Sequence, residues 1–295
     1  MSGPFSIVGS PEPLCWLGGR VIPEREATIP VRDRGFQLGL GAFETVRVVG
    51  GKPFRAAQHL DRLMGGLAEI ETLTEDHGVV MSAARRLAGA IPELLARWGR
   101  HDGVLKLFVT LGDPPDLAPA ILATVRGRRA LPDGARERGV ALGFADGPSP
   151  YPWQYKGLGR LGRWLERERG RARGFFDVLY ANPVETWIEE GTATNVFLVR
   201  EGRLRTPHAG AVLEGIARGV VLGEVARAAG VEVSEDDCFY EDLISADEVF
   251  LTNALIGVLP VARVGDEAVR ACPGPVTADL AARLEALVAA ECGGG

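Results

Sequence analysis

The sequence predicts an α+β fold in two unequal domains, and three observations carry that expectation. Its 295 residues exceed the ordinary size of one compact domain. Short runs rich in β-branched residues alternate with stretches whose apolar residues recur every three or four positions, the mark of strands interleaved with helices. A charged segment with Pro and Gly, "RRALPDGARERG", separates two apolar strand-like runs and reads as a linker. We place the smaller α/β domain at residues 1–127, the linker at 128–136 and the larger domain at 137–295.

The first domain opens with β-like segments, "CWLGGRVI" and then "GAFETVRVVGGKPF", where the Gly pair between two β-rich runs predicts a hairpin turn. Helical periodicity follows in "AAQHLDRLMGGLAEI" and "VVMSAARRLAGAIPELLARWG", and the strands "GVLKLFVTLGD" and "PAILATVRGR" close the domain. Beyond the linker come a strand "VALGFAD", a helix "GRLGRWLERERGRARG", and strands "FDVLYA", "TWIEEG" and "TNVFLVREGRLRTP". A helix "GIARGVVLGEVARAAG" and the segments "VEVSEDD", "ADEVFLTNA" and "GVLPVARVGD" complete the pattern.

The net charge is −6 and the basic residues are dispersed, which argues against nucleic acid or an anionic membrane surface as partner. A small molecule or a second copy of the chain is the expected partner. Cys15, Cys238, Cys272 and Cys292 show neither CxxC spacing nor a Cys/His cluster, so no metal site and no disulfide framework is expected. The N-terminal stretch lacks the charged start and apolar run of a signal peptide, and no segment approaches the roughly 20 apolar residues of a membrane span. The expected setting is cytoplasmic.

Three lysines stand against thirty arginines, and one of them, Lys156, sits in "YPWQYKGLGRLGRW" beside Trp153, Tyr155 and Leu158. A lysine amine can lose its proton and attack a carbonyl when desolvation lowers its pKa, which a guanidinium cannot do. The local sequence is equally that of a surface lysine before a helix. In "TWIEEGTATNVFLV", strand alternation sends Glu189 and Glu190 to opposite faces, so one of them can point inward and accept a cationic partner. A Gly before the helix at "GIARG" leaves the backbone amides of Ile216 and Ala217 free to bind an anion, and Arg62 in "HLDRL" carries a fork of donors suited to phosphate.

Taken together, "RDRGFQLGLGAFETVRV", "HLDRL", "QYKGLGRL", "EEGTATNVFLV", "LEGIAR" and "LTNALIGVLPV" occur in an order and spacing that resembles the class IV, fold type IV pyridoxal-phosphate enzymes. That family includes branched-chain and D-amino-acid aminotransferases and 4-amino-4-deoxychorismate lyase. The resemblance implies a two-domain fold with a larger β-barrel-like domain, pyridoxal 5'-phosphate as cofactor and a homodimer acting on a small-molecule amine. It makes Lys156 the lysine that carries the cofactor as an imine and Glu190 the partner of the pyridine nitrogen. Arg62, the amides of Ile216 and Ala217, and Asn253 with Ala254 become the phosphate ligands.

Within the family, "GAFETVRV" resembles the lyases, with Thr45 assisting proton transfer on the face of the strand that it shares with Phe43. "TNALIGVLPV" also looks closer to the lyase pattern. The implied reaction converts 4-amino-4-deoxychorismate to 4-aminobenzoate and pyruvate in the folate pathway; a class IV aminotransferase acting on D-amino or branched-chain amino acids is the alternative. Two departures stand out. Leu111 occupies the position of a family arginine that holds a substrate carboxylate, a task left to Lys106 or Arg32, and Gly159 and Leu161 stand where relatives carry Asn and Tyr, with Arg160 as the compensating contact.

Overall fold

The computed structural model describes residues 13–74, 78, 83, 85–147, 149, 155–181 and 187–293, so Trp153 lies outside the described residues. A six-stranded sheet is built from β1 (Leu14–Leu17), β2 (Arg20–Pro23), β3 (Gly41–Val49), β4 (Lys52–Pro53), β5 (Gly103–Thr110) and β6 (Ile121–Arg126), in the order β2-β1-β6-β5-β3-β4. The expected hairpin forms at Gly50 and Gly51, whose φ angles of 56° and 77° close the turn between Val49 and Lys52. Helices α1 (Arg34–Leu38), α2 (Ala56–Thr74) and α3 (Arg86–Trp98) belong to this part of the chain. Leu63, Leu67 and Ile70 of α2 and Leu87, Ile91 and Leu94 of α3 recur at helical spacing and bury one sheet face through Val46, Leu105, Leu107 and Val109.

The second sheet holds ten strands: β7 (Val140–Phe144), β8 (Asp177–Ala181), β9 (Trp187–Gly191), β10 (Asn195–Arg200), β11 (Arg203–Thr206), β12 (Val233–Glu235), β13 (Cys238–Phe239), β14 (Glu248–Asn253), β15 (Gly257–Val264) and β16 (Glu267–Ala268). Its order runs β12-β11-β10-β14-β15-β7-β8-β9-β13, with β16 paired to β15. β12 and β13 form opposite edges, yet only two residues separate Glu235 from Cys238. A chain that short spans roughly 10 Å, so the sheet must curl until its edges nearly meet. That curl is the barrel-like form expected from the resemblance.

Between the sheets, α4 (Ala135–Arg138) forms within the segment read as a linker, and α5 (Leu161–Ala172) follows Lys156. The helix α6 (Ile216–Val220) continues through a π turn at Val221–Val225 into α7 (Ala226–Ala229), and α8 (Tyr240–Ser245) precedes β14. The terminal helix α9 (Pro275–Cys292), which the pattern reading did not include, packs Leu280, Leu284 and Val288 against Phe197, Phe250 and Val258. Its Glu285 ties it to the first sheet by a double contact with Arg47, at 2.8 and 2.7 Å. Among the described residues, no helix is long and apolar enough to cross a membrane, and no group of three His, Cys, Asp or Glu side chains is placed to hold a metal ion.

Candidate active site

Lys156 sits on a loop stitched to the start of β3. The Phe43 amide donates to the Lys156 carbonyl at 3.0 Å, and the Leu158 amide donates to Gly41 at 3.1 Å. The approach depends on glycine: a Cβ on Gly39, whose φ is 73°, would lie 2.8 Å from the Cα of Gly159. This gives Gly159 a packing context. The Lys156 amine rests 5.0 Å from the centre of the Phe43 ring and 3.9 Å from Glu44 Oε2, with 24% of its side chain exposed. Burial pulls its pKa down to about 8; Glu44 opposes that shift, and Arg62 and Arg160 add to it.

Glu44 was not anticipated. Alternation puts it on the opposite face of β3 from Phe43 and Thr45, where it is fully buried. Arg62 grips it with Nε at 2.7 Å and Nη2 at 2.9 Å, and His59 Nδ1 lies 2.7 Å from Oε2. Burial alone would raise the Glu44 pKa, but Lys156, His59 and Arg62 outweigh it and hold the carboxyl well below its usual range. Burial lowers the His59 pKa, so a neutral ring donates its Nδ1–H to the carboxylate. Arg62 Nη1 also donates to the Glu214 carbonyl at 2.6 Å. Among the described residues three of its five N–H groups are thus engaged, which leaves two for another acceptor.

Glu190 lies at the end of β9, and both it and Glu189 are buried, because this sheet is covered on both faces rather than on one. Glu190 Oε1 pairs with Arg163 at 2.8 Å; Oε2 accepts from the Leu213 amide at 3.1 Å and from Asn195 at 3.3 Å. Burial raises its pKa and Arg163 opposes the rise. The turn after Glu190 is held by Asp177, which accepts from the hydroxyls of Thr192 and Thr194 and from the Ala193 amide. Any side chain at Gly191 would collide there, since its Cβ would stand 2.3 Å from the Thr194 hydroxyl. The small polar run "GTATN" therefore serves to aim Glu190 and Asn195.

Ile216, Ala217, Asn253 and Ala254 line one small cavity together with His59. Ile216 and Ala217 open the helix, so their amides have no acceptor one turn earlier. The Asn253 side chain braces its own turn: Oδ1 accepts the Leu255 and Ile256 amides, both at 2.9 Å, and Nδ2 donates to the Ala193 carbonyl at 3.0 Å.

Thr45 shares the face of Phe43, and its hydroxyl takes no partner among the described residues. Leu111 is completely buried in the core. Arg32, with its side chain largely exposed, pairs with Asp113 at 3.0 Å and Asp116 at 3.4 Å. Leu161 is 69% exposed and makes no substitute for a tyrosine. Arg160 instead lays its guanidinium 4.6 Å from the Phe43 ring centre.

A curled sheet beside a lysine whose pKa burial has lowered to about 8 defines an enzyme that handles amines and carbonyls. The chain belongs to the family described as amino-transferase class IV, whose pattern it matches over residues 41–264, and this is a family of pyridoxal-phosphate-dependent enzymes. The D-alanine aminotransferase of Listeria innocua is 29% identical over 276 residues, covering 90% of this chain and 92% of that protein. The 4-amino-4-deoxychorismate lyase of Pseudomonas aeruginosa is also 29% identical, with a TM-score of 0.77 over 94% of this chain and 98% of that one. A branched-chain aminotransferase of Thermoproteus uzoniensis shares the fold at a TM-score of 0.82 and 24% identity, covering 94% and 95% of the two chains.

The donor set fits the family's cofactor. It offers an amine for an aldehyde, a buried carboxylate for a ring nitrogen, and helix-start amides with two spare guanidinium N–H groups for a phosphate.

Proposed function

We propose that the chain is a lyase that converts 4-amino-4-deoxychorismate to 4-aminobenzoate and pyruvate, with pyridoxal 5'-phosphate held at Lys156. In this reading Glu190 receives the ring nitrogen. Arg62, the amides of Ile216 and Ala217 and the backbone of the Asn253–Ala254 turn receive the phosphate. When bound, the cofactor supplies an electron sink for charge developing on the carbon that bears the substrate amine. Lys156, with a pKa brought to about 8, takes the proton from that carbon. The bond between the ring and the enolpyruvyl oxygen then breaks, and Thr45 delivers a proton toward the departing group, which leaves as pyruvate.

The observation that carries the lyase reading is the hydroxyl of Thr45, without a partner among the described residues, on the face of Phe43, the ring over which the Lys156 amine lies. A second reading, a D-amino-acid aminotransferase, is favoured by the D-alanine aminotransferases among the relatives. There Lys156 would serve both as the base that takes the proton from the amine-bearing carbon and as the acid that gives it back, with the cofactor supplying the same electron sink. Incubation with 4-amino-4-deoxychorismate, and separately with D-alanine plus 2-oxoglutarate, separates the two readings. Release of 4-aminobenzoate is expected; turnover of the second mixture alone would overturn the lyase. We further propose a homodimer and the domain partition 1–127 and 137–295, the first testable by sedimentation and the second by limited proteolysis.

A further inference from the structure

One face of the first sheet carries positive charge that the chemistry above does not use. Along β5, Leu105, Leu107 and Val109 are wholly buried beneath the helices, so Lys106 and Phe108 project from the opposite face. Phe108 stacks on Phe43 with ring centres 6.0 Å apart, and Lys106 stands directly across from Thr45. Arg160 reaches the same place from the Lys156 loop, its guanidinium 4.6 Å from the Phe43 ring centre. Lys106, Arg160 and Lys156 thus gather around the side chains of Phe43 and Thr45.

Among the described residues, neither Lys106 nor Arg160 has an acid within ion-pair distance, because the nearby carboxylates are engaged elsewhere. Arg32 holds Asp113 and Asp116, Arg62 and His59 hold Glu44 on the far face of β3, and Arg163 holds Glu190. Burial, then the positive charges of Arg160, Arg126 and Arg129, press the Lys106 pKa down. A half-buried cation facing another cation is costly until an anion arrives, and the costs fall together when one carboxylate bridges both.

We propose that Lys106 and Arg160 together receive a carboxylate of the substrate, in place of the family arginine whose position Leu111 fills. Both substrates weighed above carry such a carboxylate, and the two cations set where it lies. This deepens the functional reading above and rests on it only in that Lys156 is where the amine reacts.

The test measures binding to the cofactor-loaded protein by calorimetry with two matched pairs, 4-aminobenzoate against 4-aminobenzamide and pyruvate against pyruvamide. Wild type is expected to hold the acid of at least one pair roughly ten- to a hundredfold more tightly than its amide. Lys106→Gln and Arg160→Gln should each cut that preference about tenfold, whereas Lys106→Arg and Arg160→Lys retain it, with the cofactor absorbance unchanged throughout. Should Lys106→Gln fail to fold, Arg160→Gln, at an exposed position, carries the test. Wild type without acid preference, or a Gln variant that keeps it, overturns the proposal. A protein that shows the preference but releases no 4-aminobenzoate keeps this subsite and loses the lyase reading.

Discussion

Glu44 and Arg62 form a two-pronged ion pair, with Nε and Nη2 at 2.7 and 2.9 Å from the two carboxylate oxygens, beneath the strand that carries Thr45. The pair fixes the guanidinium so that its remaining donors keep one direction, and it places a negative charge 3.9 Å from the Lys156 amine. It therefore links two parts of the candidate site that are far apart in sequence.

Replacing Glu44 with Gln leaves a largely buried arginine without its counter-charge. The expected cost is about 3 kcal/mol of unfolding free energy at pH 7. Because the Glu44 pKa is depressed in the folded chain, its contribution is full above the unfolded carboxyl pKa of about 4.3 and fades as pH falls below that value toward the folded one. Urea unfolding at pH 7 and again below pH 4 should show the gap between wild type and variant narrowing in acid. Equal stability at pH 7 contradicts this account.

Asp177→Ala removes the acceptor that gathers Thr192, Ala193 and Thr194 behind Glu190. Asp177 is 1% exposed, so the orphaned donors stay buried and the loss should reach roughly 3 kcal/mol. Cofactor affinity should fall with it, since Glu190 loses its aim, whereas Asp177→Asn, which keeps acceptor capacity on one atom, should lose less. Fluorescence-monitored denaturation and a cofactor titration of both variants decide the matter. An Ala variant with wild-type affinity separates the turn from the site.

Thr45→Val keeps the β-branched shape that suits the strand and removes only the hydroxyl. On the lyase reading, 4-aminobenzoate release should drop by about a hundredfold, a typical loss for one proton-transfer group, with the cofactor spectrum intact. Single-turnover measurements on loaded protein provide the check. A variant with undiminished release assigns the proton to another donor.

Chemistry was easier to read from the sequence than its support was. Lys156 stood out because arginine is used nearly everywhere else, whereas strand alternation left Glu189 and Glu190 as alternatives and the resemblance to the family selected Glu190. What covers each face is set by distant segments, which is why both glutamates proved buried. Glu44 was hidden by its place on the core-facing side of β3, although His59 and Arg62, three residues apart on one helix face, gave a readable signal that an acid lay opposite. Arg163, seven residues after Lys156, looked like one more arginine of a charged helix until β9 brought Glu190 to it. The helix α9 went unread although Leu280, Leu284 and Val288 recur at helical spacing, and its contact with Arg47 belongs to tertiary structure alone.

The three lysines of the chain make the central claim directly measurable. With the cofactor removed, the Lys156 amine should titrate near pH 8, against about 10.4 in the unfolded chain. At pH 7 about one molecule in ten then offers a neutral nucleophile, against roughly one in 2,500 for an ordinary lysine. The folded chain binds fewer protons than the unfolded one between those two values, so this residue alone makes the fold more stable as pH rises from about 8 to 10.4. Cyanate labelling across pH, read by mass spectrometry of the Lys156 peptide, should give the lower midpoint in folded protein and the higher one in urea. Glu44→Gln should move the folded midpoint further down, because Glu44 raises it more than Glu190 does. Arg62→Met should move it up, since Arg62 is a positive neighbour that lowers it. Opposite movements by two variants on either side of one ion pair would show that the amine is tuned by these charges, and a folded midpoint above 10 would remove Lys156 from the chemistry.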